Sequence, residues 1–93
     1  MYSCLTTTKF NPANRKTVLD FADSVREEMN QFEGLHYART IEVAEGHHVT
    51  IQCYESEEAS EKTMLRVLEV MSKGTHLINE PRSRISGDVV WEK

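Results

Sequence analysis

The 93 residues suit one domain spanning 1–93, because a chain of this length buries only about 60–65% of the surface it exposes when extended and has little room for a second core. Hydrophobic residues at 39% and charged residues at 28% belong to a folded chain and exclude a disordered one. The 11 basic residues against 15 acidic ones give a net charge of -4 with no basic stripe to neutralise phosphates, which argues against nucleic acid as a partner.

No run approaches the roughly 18 consecutive apolar residues that span a bilayer, and MYSCLTTTKF lacks the basic start and apolar core of a secretion signal. A cytoplasmic setting without a membrane partner is the expectation. Cys4 and Cys53 are too few for a disulfide framework and have no C-x-x-C spacing, so both are expected as reduced thiols.

In chain order, the threonine-rich residues 2–10 favour a first strand, since branched side chains lose less rotamer freedom in extended structure. Asn11-Pro12 then offers an N-cap and a proline whose missing N–H is harmless in a first helical turn. Val18, Phe21 or Ala22, Val25, Met29 and Phe32 recur at steps of three or four, which predicts a helix over about 12–32 stopped by Gly34.

From Leu35 to Tyr54 the period changes, and the glycine of AEGHH divides the segment into two strands of a hairpin. A three-residue loop of Glu45, Gly46 and His47 sets Ile41 opposite Ile51 and Val43 opposite Val49. A two-residue Glu45-Gly46 loop sets Ile41 opposite Thr50. The first register sorts the faces better. It puts Tyr37, Arg39, Ile41, Val43, Val49, Ile51 and Cys53 on one side, and His36, Ala38, Thr40, Glu42, His48, Thr50, Gln52 and Tyr54 on the other.

Ser56 is positioned to cap a second helix, with Glu57 and Glu58 meeting the positive end of its peptide dipoles. Met64, Val67 or Leu68, and Met71 form its apolar stripe, and Lys73-Gly74 ends it. Residues 75–84 read as loop around Pro81, and ISGDVVWEK supplies a last strand over about 85–92 on which Trp91 packs. Strand, helix, strand, strand, helix, strand is the order of a ferredoxin-like βαββαβ unit of the α+β class, an antiparallel sheet with two helices on one face. The semi-polar hairpin face is then the one expected to meet a second copy or to line a cavity.

The element order, the segment Tyr54-Glu55-Ser56-Glu57-Glu58-Ala59 opening the second helix, and the terminal GDVVW strand resemble the antibiotic biosynthesis monooxygenase domain family along essentially the whole chain. The resemblance implies a homodimer closed into a dimeric α+β barrel. It also implies oxidation of a small phenolic or quinol-like compound without metal, flavin or other cofactor. Haem-degrading relatives carry an asparagine on the first strand, a tryptophan near the third and a histidine on the second helix. Here Thr6, Thr7 and Thr8, then Tyr54, and His76 past the helix body stand instead, so haem degradation is the lesser expectation.

For phenol oxidation the candidate catalytic residues are His76 to take the phenolic proton, Tyr54 to orient the ring and Arg39 to stabilise developing negative charge, provided all three face one pocket. Arg39 falls on the opposite hairpin face from Tyr54 in the preferred register. His47 and His48 point to opposite sides of a strand and are not a two-ligand grip; His36, His48 and Glu42 share a face but lack a known metal spacing, so no metal is expected. Cys53 is in phase with Val49 and Ile51 and reads as a core thiol. Three function classes follow: a monooxygenase-like enzyme, a non-catalytic homodimer binding a small aromatic ligand, and a dimer whose sheet face is only an assembly surface.

Overall fold

The computed structural model describes residues 1–93. Strands β1 (Tyr2–Lys9), β2 (Leu35–Ala44), β3 (His47–Tyr54) and β4 (Ser83–Asp88) form one antiparallel sheet in the order β2-β3-β1-β4. Helices α1 (Arg15–Ser24), α2 (Arg26–Asn30) and α3 (Glu57–Ser72) lie on one side of it, giving the expected α+β, ferredoxin-like arrangement. No helix is long and apolar enough to cross a membrane.

The first helical segment is not continuous. A 3-10 turn, Pro12–Asn14, precedes α1, with Asn11 Oδ1 accepting from the Ala13 N–H at 3.0 Å, and a break at Val25 separates α1 from α2. The Ser24 hydroxyl donates to the Phe21 carbonyl at 2.6 Å and competes for an oxygen of the helical ladder just before that break. Glu27 and Glu28 occupy the first turn of α2, where carboxylates favour a restart. By contrast α3 begins as expected, the Ser56 hydroxyl accepting from the Ala59 N–H at 3.1 Å.

Val25, Phe32, Val67 and Val70 form the buried cluster between the helices, with Phe21, Met29, Leu35 and Met71 packed around it. Of the alternatives at each stripe position, Phe21 packs and Ala22 is exposed; Val67 packs and Leu68 is exposed.

The hairpin register differs from the expected one by two residues: Ile41 pairs with Val49 and Arg39 with Ile51, and the tip is Glu45-Gly46. Gly46 (φ 68) takes the turn, and an irregularity between Glu42 and Ala44 absorbs one residue. A slip of two preserves which side each residue faces.

The helices cover the opposite face from the one expected. They lie over Cys4, Thr6, Thr8, Thr40, His48 and Thr50, while the apolar side with Leu5, Ile41, Val43 and Ile85 is open. The reason lies in α3, whose buried side includes Ser60 and Thr63 as well as Val67 and Val70. Ser60 Oγ sits 3.7 Å from Cys4 Sγ, so small polar groups on the helix meet small polar groups on the sheet. Cys53, on the open side, is nevertheless buried. The last strand ends at Asp88, which pairs with Tyr2; one further backbone bond, from the Val89 N–H to the Met1 carbonyl at 2.9 Å, follows, and Trp91 stands off the sheet at 77% exposure instead of packing on it.

Candidate functional site

Although α1 carries an apolar side, none of its residues is fully buried. That side faces a cavity of about 740 Å³ between helices and sheet, within the roughly 300–1,000 Å³ of small-molecule sites. Val18, Leu19, Phe21 and Val25 with Met71 of α3 form an apolar roof. Gly74 lets Phe21 approach, since a Cβ there would lie 2.7 Å from Phe21 Cε2.

The floor is of opposite character. Thr6 and Thr8 alternate along β1, and Thr40 and Thr50 face them from β2 and β3, so four hydroxyls line one side of the cavity. Thr40 Oγ1 and Thr50 Oγ1 are 2.9 Å apart.

Beside Thr50 on β3, His48 is 4% exposed and lines the same floor. Its Nε2 lies 2.9 Å from Glu42 Oε2, which accepts from Arg15 Nε at 2.8 Å, and its ring meets Phe10 edge-on with centroids 4.7 Å apart. The hydrogen bond from Arg15, then that to His48, holds the Glu42 carboxyl below the usual carboxylate range. A carboxylate on Nε2 favours the tautomer protonated there and leaves Nδ1 as the proton acceptor of the ring. This is the arrangement of a general base oriented by an acid, and it sits against a row of hydroxyls.

The three residues expected to share a pocket are not brought together, and none lines this cavity. His76 lies in a 3-10 turn, Thr75–Leu77, beyond α3 and is exposed. Tyr54 is wholly buried at the end of β3, where its phenol donates to Gln52 Oε1 at 3.2 Å; burial pushes its pKa up and keeps it neutral. Arg39 is on the open face, stacked over the Tyr37 ring at 4.5 Å. The adjacent histidines do point to opposite sides. His36 lines the cavity wall, yet no three histidine, cysteine or acidic side chains come together in a geometry that could hold a metal ion.

Sequence reasoning placed His48 and Glu42 on one face with Thr40 and Thr50 and gave that face to a second copy or to a cavity, of which the cavity is found. It missed Thr6 and Thr8 as floor residues and Arg82 altogether. The signal for the threonines is their alternation with Leu5 and Thr7 on β1; Arg82, in a loop, left none.

No family model and no curated protein sequence matches the chain. Solved structures share its fold at low identity. A protein of unknown function from Nitrosomonas europaea is 13% identical, with a TM-score of 0.81 and coverage of 99% of this chain and 91% of that one. The ActVA-Orf6 monooxygenase of Streptomyces coelicolor, solved with the ligand nanaomycin D, is 18% identical with a TM-score of 0.78, covering 98% and 92%. SnoaB, a cofactor-independent oxygenase from Streptomyces nogalater, is 8% identical with a TM-score of 0.77, covering 98% and 94%. These and further structures converge on the antibiotic-biosynthesis-monooxygenase-like fold, and at such identities the likeness is one of fold.

Proposed function

We propose that this protein binds a planar hydroxylated aromatic compound between helices and sheet and oxidises it as a cofactor-independent monooxygenase. The observation that carries the reading is the two-sided cavity, apolar above and lined by threonine hydroxyls and a carboxylate-paired histidine below. A fused ring fits the roof, and its oxygens fit the floor.

In this reading His48 takes the phenolic proton as Glu42 holds its ring in place, and the threonine hydroxyls donate to the resulting phenolate. The electron-rich ring then reacts with molecular oxygen. One oxygen atom forms a bond to ring carbon, the O–O bond breaks, the other atom leaves as water with the two hydrogens lost by the phenol, and the product is a quinone.

The reading includes a homodimer. Leu5, Ile41, Val43 and Ile85 expose apolar surface on the open sheet face, and a second copy covering it by two-fold symmetry closes the barrel that the fold resemblance implies. A ligand-binding dimer without turnover uses the same cavity, and oxygen consumption separates the two.

The test is oxygen uptake with a panel of polycyclic phenols and quinols. Turnover that falls roughly a hundredfold in His48→Ala is the expected result. Absence of turnover across the panel, or turnover unaffected by the substitution, overturns the assignment.

A further inference from the structure

Arg82, one residue before β4, lines the cavity beside the threonine floor. It is half-buried, and it makes no ion pair and no side-chain hydrogen bond. Two residues on, Arg84 shows the contrast: that guanidinium is turned toward Met64 Sδ at 2.8 Å and Cys4 Sγ at 3.0 Å. Burial alone lowers the Arg82 pKa from its ordinary value, and an arginine still keeps its charge.

The other charges around the cavity cancel in pairs. Asp23 and Arg26 are joined at 2.7 Å, and Glu42 and Arg15 at 2.8 Å. One positive charge therefore stands uncompensated at a cavity in a chain whose net charge is -4. A half-buried guanidinium without a partner is costly unless a ligand supplies one, and its planar fork matches a carboxylate.

Its position sets the geometry. Thr7 pairs with Ser83, so extending the register by one residue brings Arg82 beside Thr8, whose other neighbour is His48. Strands are about 4.8 Å apart, so the backbones of His48 and Arg82 stand roughly 10 Å from each other across β1. We infer that the ligand is an anionic aromatic acid, a fused-ring phenol whose hydroxyl meets His48 and whose carboxylate meets Arg82. This rests on the aromatic reading of the cavity and adds the charge and the polarity of the substrate.

Calorimetric titration tests it with three probes: a hydroxynaphthoic acid whose hydroxyl and carboxylate lie on opposite rings, the naphthol that lacks the carboxylate, and laurate. The acid is expected to bind about tenfold more tightly than the naphthol. In Arg82→Gln that advantage falls to about twofold or less while naphthol affinity stays the same, and Arg82→Lys, which keeps the charge without the fork, recovers part of it. Equal affinities in the unsubstituted protein, an equal loss of both aromatic probes in Arg82→Gln, or laurate binding as tightly as the acid overturns the inference. Naphthol binding and turnover without any advantage of the acid sinks the anion site alone; an acid that binds through Arg82 but is never oxidised sinks the oxygenase reading alone.

Discussion

His48 Nε2 and Glu42 Oε2 stand 2.9 Å apart on neighbouring strands, paired directly across the β2–β3 ladder. The pair joins a cavity-lining imidazole to a carboxylate that is itself anchored to the start of α1 through Arg15. Replacing the carboxylate by an isosteric amide keeps the shape and removes the charge. Glu42→Gln is therefore expected to lower kcat for phenol oxidation by about tenfold, less than removal of His48 itself, with a smaller change in KM. Steady-state oxygen uptake checks this, and an unaltered kcat would remove the orienting role.

The same carboxylate gives a pH signature. Because its folded pKa is depressed, chiefly by the hydrogen bond from Arg15 and next by that to His48, it adds stability above the ordinary carboxylate pKa of 4.5, and that stability is lost as pH falls through the depressed value. The difference in melting temperature between the unsubstituted protein and Glu42→Gln is expected to shrink as pH is lowered below about 4.5. The Arg15 arm is solvent-accessible, so added salt should reduce its share of the difference as well. Thermal melts over a pH series provide the measurement.

Tyr54 illustrates how much of the site could be read from sequence. Its place at the junction of β3 and α3 was legible, because Ser56 and the two glutamates announce the helix start. What covers it was not. Alternation assigned Tyr54 to the face of His48 and Thr50, and that proved right even with the register two residues off. Which face the helices cover depended on the small polar residues Ser60 and Thr63 on α3, and a hydrophobic stripe gives them no weight. The cavity followed from that choice, and with it the change of emphasis from His76 to His48. Arg82 belongs to a loop, where neither period nor pattern marks a side chain.

Buried under α3, the Tyr54 phenol satisfies Gln52 Oε1, itself almost inaccessible. Tyr54→Phe leaves that oxygen without its donor, which costs about 1–3 kcal/mol of folding stability. Denaturant titration should show this loss, while KM and kcat for the proposed phenol oxidation by the folded protein remain as they were. A specific fall in kcat with stability preserved would instead give the phenol a chemical role.

Gly46 couples the hairpin tip to the site. It combines a φ of 68 with a close approach: a Cβ would stand 2.3 Å from the Phe10 carbonyl oxygen, and the Phe10 N–H donates to the Gly46 carbonyl at 2.9 Å. Phe10 in turn packs against the His48 ring. Gly46→Ala is expected to destabilise the fold by about 1–3 kcal/mol through backbone strain and displacement of the β1 end. Ligand affinity should weaken with it, since the imidazole loses its edge-on support. Calorimetric melting and naphthol titration of the same variant check the two effects together.

The open sheet face makes the last prediction. Ile41 is 47% exposed, Val43 50% and Ile85 70%, and Leu5 lies between them on β1, so apolar side chains run across three of the four strands with water on them. A two-fold partner would place each such residue against a copy of the same surface, and a stable dimer of this kind buries about 800 Å² on each copy. Ile41→Glu puts a charge into that apolar contact and, by symmetry, does so twice. Light scattering is expected to give a dimer for the unsubstituted protein and a monomer for Ile41→Glu at micromolar concentration. Ile41 faces away from the cavity, so the monomeric variant should still bind naphthol. A monomer before substitution, or a dimer indifferent to the charge, would remove this face as the assembly surface.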